Sequence, residues 1–209
     1  MLNISGTGAK LSNQDLAGRR FPIQFICKRA NSVVDGETEE LLEYCHLMKR
    51  PKYKEPWEHS FGNKVGRLCQ GIEGRAVGTD TMFFIHKSEV PADRFKDVTY
   101  GKINCDFKAT KEETNRTRLT VGGDRINYPG DCGTPTADLL TVKLLLNSVV
   151  STAGAEFMTL DIKNFYLCTP LERYEYLRMK IDKFPQDIID LYKLQEKATA
   201  DGFVYLCRS

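Results

Sequence analysis

The sequence has no Cys-x-x-Cys pair and few histidines, which argues against a zinc centre or a disulfide framework. Its 209 residues include seven cysteines, an odd number that cannot all pair within the chain, and three histidines. His46, His59 and His86 lie far apart, without the short spacing of metal ligands. We therefore predict reduced cysteines that pack as small apolar residues, namely Cys27, Cys45, Cys69, Cys105, Cys132, Cys168 and Cys207.

Long apolar runs are absent as well. No stretch reaches the roughly 18 consecutive apolar residues that a membrane-spanning helix needs. The first residues, Met1 to Gly6, do not combine a basic segment with an apolar one, so they do not look like a secretory signal. We expect a cytosolic or nuclear protein that is not secreted and has no membrane partner.

A strong excess of charge of either sign is also missing. The net charge is +2, so overall composition does not indicate a nucleic-acid-binding protein. The stretch 44–75 carries seven Lys/Arg against three acidic residues, a local charge of +4. That excess can follow a phosphate backbone or can be an ordinary solvated surface, and charge alone favours the surface.

What is present begins with a polar, irregular lead-in over residues 1 to about 30, followed by two predicted helices. Residues 37–49 are acidic first and basic last, which suits the helix dipole, and Pro51 ends this helix. A second helix begins near Glu55–Trp57 and runs towards Cys69. Its apolar residues recur at steps of three and four, at Trp57, Phe61, Val65 and Leu68.

Extended segments follow. The stretches 81–86, 98–107 and 116–121 are rich in aromatic and β-branched residues and predict strands. The last two flank a charged connection at 108–115, so they predict a β-hairpin that projects into solvent.

The next segment predicts a buried helix and then a strand. Thr134, Pro135 and Asp138 form a helix start, with a capping residue, a proline and an acid in the first turn. The helix 139–152 is apolar on nearly every face, which predicts deep burial. Residues 156–162 then predict a strand that ends near Asp161. Further along, 174–181 predicts a strand, 185–192 a short helix, and 203–207 another strand.

The stretch 157–167 contains the residue pattern that suggests a catalytic site. An apolar strand delivers a carboxylate at its end, and an aromatic pair follows four and five residues later. Nucleotide polymerases need hard oxygen ligands at a sheet edge, because two Mg²⁺ ions neutralise charge in the in-line transition state. An isolated aspartate at a strand end is more often a cap or turn residue. The order of residues in the whole segment is therefore what favours a catalytic role for Asp161.

Four motifs in order resemble the start of reverse transcriptases of copia-type retrotransposons. They are Arg-Thr-Arg-Leu-Thr-Val-Gly-Gly at 116–123, Thr-Pro-Thr-Ala at 134–137 with Lys-Leu-Leu-Leu at 143–146, Leu-Asp-Ile-Lys-Asn-Phe-Tyr-Leu at 160–167, and Pro-Leu-Glu-Arg-Tyr-Glu-Tyr-Leu-Arg-Met at 170–179. Each motif alone is weak, and the four together are strong. The resemblance covers about 98–209 and extends weakly to about 40 through 57–61.

The resemblance implies an α+β fold, a partial right-hand polymerase of short mixed strands with packed helices. Residues 1–35 would be an irregular lead-in, 36–97 the N-terminal helical and extended region of the fingers, and 98–209 the fingers and the first part of a truncated palm. The implied activity is RNA-directed DNA polymerisation with Mg²⁺. Implied partners are an RNA/DNA primer–template, dNTPs and the remainder of a polyprotein, in a cytoplasmic retroelement particle or the nucleus.

The resemblance also implies roles for individual residues. Asp161 matches the first metal-binding and catalytic aspartate, and Ile162 would contribute its main-chain carbonyl to the metal. The nucleotide-binding set would be the hairpin arginines, two main-chain N–H groups and the aromatic residue of the sugar gate: Arg116, Arg118, Asn164, Phe165 and Tyr166. Exposed strand arginines without a ligand are an equally good interpretation of Arg116 and Arg118.

One departure from the family pattern limits the expected activity. Nothing resembling the Tyr-x-Asp-Asp motif, which supplies the remaining metal-binding acids, lies between 168 and 209. We therefore expect that this polypeptide alone does not polymerise DNA and that it is a fragment of a larger polyprotein or the product of a degraded or mispredicted element. The alternative is a non-catalytic nucleic-acid-binding remnant, and a third interpretation is a globular protein with no nucleic-acid role.

Overall fold

The structure, a computed structural model, describes residues 32–128, 130, 136–160, 162, 167 and 170–208. Within these residues the fold is mixed α/β, with a mixed five-stranded sheet and several helices. The strands are β1 (Val33–Val34), β2 (Leu41–Leu42), β3 (Gly71–Ile72), β4 (Ala76–Val77), β5 (Met82–Ile85), β6 (Thr99–Phe107), β7 (Asn115–Val121), β8 (Glu175–Lys180) and β9 (Phe203–Arg208). The α-helices are α1 (Tyr44–Leu47), α2 (Pro51–Leu68), α3 (Leu139–Ser151), α4 (Gln186–Leu191) and α5 (Leu194–Lys197), and short 3₁₀ turns occupy Lys87–Glu89, Ala92–Asp97 and Ile181–Lys183.

The five-stranded sheet has the order β5-β9-β8-β6-β7. Its pairs are antiparallel except for β6 and β8, which run parallel and meet at Thr99 and Leu177. Strands from both sides of the predicted boundary at 97/98 therefore share one sheet, because β5 pairs with β9 along its whole length.

Helix α2 packs on this sheet and supplies the centre of the hydrophobic core. Trp57, Phe61, Val65 and Leu68 are all buried, as their spacing predicts. Phe61 is fully buried between Tyr44 and Phe184, with ring centroids 5.3 and 5.7 Å away. Burial of this apolar stripe is the main driving force that holds the helix to the sheet.

The chain turns tightly after α2. Gly71 has a φ of +95°, a conformation that suits glycine, and the hydroxyl of Tyr192 donates to its carbonyl at 2.8 Å. A Cβ on Gly78 would lie 2.4 Å from the Cys69 carbonyl oxygen, so only glycine fits there without movement of the backbone. The small hairpin β3–β4 forms between these two positions.

The predicted strands between 81 and 121, and the predicted strands and short helix between 174 and 207, are confirmed. Strands β5, β6, β7, β8 and β9 lie where the alternation predicts them, as does the short helix α4. The hairpin of β6 and β7 is antiparallel over seven residue pairs. None of the helices in the described ranges has the length and apolar composition needed to cross a bilayer.

The predicted helix over 37–49 is wrong in its extent. Only Tyr44–Leu47 is helical, while Leu41 and Leu42 form a strand that pairs with β1. Arg50 forms ion pairs with both Asp35 and Glu40, which draws the two arms of this small hairpin together. Pro51 begins α2 rather than only ending its predecessor, because proline suits the first helical turn.

Helix α3 is confirmed in position, but its predicted burial is wrong. It has no buried residue, and Leu139 and Val150 are 68% and 87% exposed. The Asp138 side chain caps it by accepting from the Thr141 N–H at 2.7 Å, whereas the predicted Thr134 and Pro135 start lies outside the described residues. Apolar composition predicts a need for burial, but only a neighbouring element can supply it.

The predicted strand over 156–162 is wrong for residues 156–160. This segment is not in a strand, and its apolar side chains, Phe157, Met158 and Leu160, are exposed. A strand requires a neighbour for its backbone N–H and C=O groups, and no strand of the described residues pairs with this segment.

Candidate nucleic-acid interface

The hairpin of β6 and β7 carries the two predicted phosphate-binding arginines. Arg116 lies opposite Asp106 and Arg118 opposite Asn104 in the antiparallel register. Because side chains alternate along a strand, both arginines point to the face opposite buried Thr117. Arg118 is exposed and Arg116 half-buried. Within the described residues neither makes an ion pair, although a carboxylate, Asp106, lies across the strand from Arg116.

Helix α2 fixes the position of β7. The Ser60 hydroxyl donates to the main-chain carbonyl of Asn115 at 2.8 Å and lies 3.3 Å from the hydroxyl of Thr117. The Asn63 amide donates to Glu113 at 3.2 Å, and Arg67 forms an ion pair with the same carboxylate. The outermost strand of the sheet is therefore tied to the helix at its beginning and at the preceding turn.

Helix α2 also carries two further cations, Lys64 and Arg67. Lys64 lines a cavity with Leu119 and Val121, so it lies on the Thr117 side of β7, opposite the two arginines. Burial lowers the pKa of Lys64, and the positive charges of Arg67, Arg118 and Arg116 lower it further. The four cations therefore surround one edge of the sheet, the strand β7, with Lys64 and Arg67 on the helix side and the two arginines on the other side. We call Lys64, Arg67, Arg116 and Arg118 the basic edge.

One of these charges is already offset. Arg67 is paired with Glu113, and the hydrogen bond from Arg67 is the main reason that the pKa of Glu113 is lowered. Lys64, Arg116 and Arg118 have no such partner in the part of the chain that the structure describes. The basic edge can therefore attract a polyanion, because a phosphate would relieve the repulsion among its cations.

A buried acceptor lies on the same face as Arg118. Asn104 is buried, and its amide donates to the Thr120 hydroxyl at 2.9 Å. Within the described ranges its carbonyl oxygen Oδ1 has no hydrogen-bond donor. A ligand hydroxyl or a water can supply one, since buried polar atoms are normally hydrogen-bonded.

The predicted metal and sugar-gate residues cannot be placed beside the basic edge. Asp161, Asn164, Phe165 and Tyr166 lie outside the described residues. Ile162 is described, and its side chain is exposed. Among the residues that are described, no group of three or more His, Cys, Asp and Glu side chains could hold a metal ion.

The structure thus places Arg116 and Arg118 on one face of β7 and adds, on the other side of this edge strand, Lys64 and Arg67, which the sequence analysis did not single out. A signal for them was present. Both lie in the stretch 44–75 with its local charge of +4, and their spacing of three places them on one helix face. Sequence spacing alone does not say which strand that face meets.

Comparison with protein-family models, with curated proteins and with solved structures found no match.

Proposed function

We propose that this chain is the fingers and early-palm segment of a copia-type reverse transcriptase, with the right-hand polymerase fold, and that it contacts nucleic acid through the basic edge. The observation that carries the proposal is the placement of Arg116 and Arg118 on one hairpin face of the edge strand β7, whose other side carries Lys64 and Arg67. The four sequence motifs supply the polymerase assignment, and the basic edge supplies a surface suited to phosphate.

The chemistry of the basic edge fits a phosphate chain. Guanidinium groups offer several donors in a planar fork that matches phosphate oxygens. Lys64, Arg116 and Arg118 are not committed to a carboxylate within the described residues. Each phosphate that the protein neutralises releases bound counterions, so nucleic-acid binding should weaken as the salt concentration rises.

The Mg²⁺ part of the proposal depends on Asp161 and the Ile162 carbonyl. Asp161 is outside the described residues, and the described side chains form no metal-binding cluster. When bound, Mg²⁺ would neutralise phosphate charge during nucleotidyl transfer. We expect the 209-residue chain to bind a primer–template without extending the primer.

Fluorescence anisotropy with a labelled RNA/DNA primer–template tests the proposed surface. The double substitution R116Q/R118Q should weaken binding and reduce the slope of log K against log salt by about 2, since two phosphate contacts are lost. K183Q, which changes an exposed lysine next to buried Phe184 and outside the basic edge, is the control and should bind like the parent. Unchanged binding and slope in R116Q/R118Q would reject the basic edge as the interface.

A non-catalytic nucleic-acid-binding role is the second candidate, and the basic edge by itself favours it. The two roles differ in their dependence on Mg²⁺ and on Asp161. Binding of primer–template and dNTP that is strengthened by Mg²⁺ and weakened by D161N supports the polymerase segment. Binding that responds to salt but to neither of these supports the non-catalytic role, and primer extension by the chain alone would contradict our expectation about activity.

A further inference from the structure

A cavity of about 270 Å³ lies between α2 and the sheet, beneath β7. Its walls are mainly apolar and include Leu68, Leu119 and Leu177. Val121 at the end of β7 and Leu171 ahead of β8 also line it. Ligand pockets typically run from about 300 to 1,000 Å³, so this cavity suits a small ligand with an apolar body.

The charged groups in the wall favour an anion. Lys64 lines the cavity, and within the described residues it has no carboxylate partner. The acidic wall residue, Glu175, is already held by Arg94 at 2.8 Å and by Arg173 at 2.7 Å. Arg208 is a further cationic wall residue. Among the described wall residues, two cations, Lys64 and Arg208, therefore accompany one carboxylate, Glu175.

Lys64 is the wall group with most to gain from a ligand. It is half-buried, and burial together with the charges of Arg67, Arg118 and Arg116 lowers its pKa. A partly desolvated ammonium beside an apolar surface is stabilised when an anion replaces its lost hydration. An apolar molecule that carries a carboxylate satisfies both the walls and this cation.

We propose that this cavity binds a small organic carboxylate, with its apolar body among the leucines and its anionic group on the Lys64 ammonium. Lys64 also belongs to the basic edge, but the proposal does not rest on the polymerase assignment, because it concerns a different ligand and a different readout. Neither Arg116 nor Arg118 lines the cavity.

A matched pair of probes tests it on the full 209-residue chain. 1-Naphthaleneacetate and its neutral amide, 1-naphthaleneacetamide, have the same ring system and differ in charge. By isothermal titration calorimetry, the carboxylate should bind with a Kd at least about fivefold lower than that of the amide. The reason is that only the carboxylate can form a charged hydrogen bond with Lys64. In K64Q this preference should disappear, and in K54Q, a lysine of the same helix that does not line the cavity, it should persist.

A second substitution tests the location. V121F places a larger ring at the cavity wall, so it should weaken both probes at least about fivefold while preserving the fold, as checked by circular dichroism. Nuclear Overhauser effects from the naphthyl protons to the methyl groups of Val121 and Leu171 give the same information without a substitution. Equal affinities of the two probes for the parent chain, a preference retained in K64Q, or Overhauser effects to the exposed leucines of α3 instead would each overturn the proposal.

Discussion

The buried cysteines show how the surroundings of a residue determine its chemistry. Burial raises the pKa of Cys69 to about 12, with a further contribution from the Asp80 carboxylate, and burial raises the pKa of Cys105 to about 12 as well. Both side chains pack in the hydrophobic core, as predicted for small apolar residues, whereas Cys45 is exposed. Thiol reactivity requires the thiolate, which is scarce in the buried pair at neutral pH.

We therefore expect iodoacetamide at pH 8 to alkylate Cys45 in the folded protein much faster than Cys69 and Cys105. Peptide mapping by mass spectrometry after timed quenching measures the three rates. In concentrated urea, where burial is lost, the difference should disappear. Equal rates in the folded state would contradict the burial of these two residues.

The ion pair between Glu113 and Arg67 predicts that the stability of the fold depends on pH. The pKa of Glu113 is lowered from 4.5, mainly by the hydrogen bond from Arg67. A carboxylate whose pKa is lower in the folded state stabilises the fold above its unfolded pKa, and this contribution is lost as the pH falls through the folded value. Because both side chains are 42% exposed, the contribution should be small, about 0.5 kcal/mol.

The corresponding experiment compares urea unfolding of the parent and E113Q from pH 7 to pH 3. The parent should be more stable above about pH 4.5, and the two should converge below it. E112Q changes the neighbouring exposed glutamate and should follow the parent at every pH. A constant difference between the parent and E113Q at all pH values would show that the ion pair is not its cause.

At the scale of elements, α2 and α3 make the clearest contrast. Both are helices, but α2 buries an apolar stripe against the sheet, whereas α3 has an exposed apolar surface on nearly every side. Isolated helices as short as α3 are marginal in water, because their stability in proteins comes from packing. Its Asp138 cap and leucine-rich sequence favour the helical backbone without providing that packing.

We expect hydrogen exchange to separate the two helices. Backbone amides of 139–151 should exchange much faster than those of 57–68, because local opening of α3 exposes little new surface. Mass spectrometry of peptic peptides over seconds to hours measures both segments in one sample. Equal protection of the two helices would mean that α3 is packed against another surface in solution.

At the scale of the whole molecule, distant segments converge on one core. Phe61 of α2 contacts Tyr44 of α1 and Phe184, which precedes α4, and Phe184 in turn contacts Phe84 of β5. The pairing of β9 with β5 and β8 joins the end of the described chain to its middle. Loss of this central ring should therefore destabilise the N-terminal and C-terminal segments together.

The substitution F61A tests this convergence. It should lower the free energy of unfolding by about 3–5 kcal/mol, because a fully buried aromatic ring leaves a cavity that its neighbours cannot fill. F95A removes a ring that is 41% exposed and should cost less than about 1 kcal/mol. Urea unfolding followed by far-ultraviolet circular dichroism measures both. A similar loss of unfolding free energy in the two variants would mean that Phe61 is not at the centre of the core.

By itself the sequence determined much of the local structure: the stripe of α2, the hairpin of β6 and β7 with its two arginines, and the strands and short helix near the end of the described chain. These follow from periodicity and turn chemistry, which act between residues close together in the chain. It also carried the copia-type resemblance, and the functional proposal still depends on those motifs.

Only the tertiary structure decided that the charges of Arg116 and Arg118 act on Lys64 of α2, that residues 41–42 pair as a strand, and that α3 and residues 156–160 are exposed. Each of these is a relation between segments distant in sequence, or the lack of a neighbour among the described residues. Apolar composition and charge indicate that a segment needs a partner. Which partner it meets depends on how all the elements pack at once.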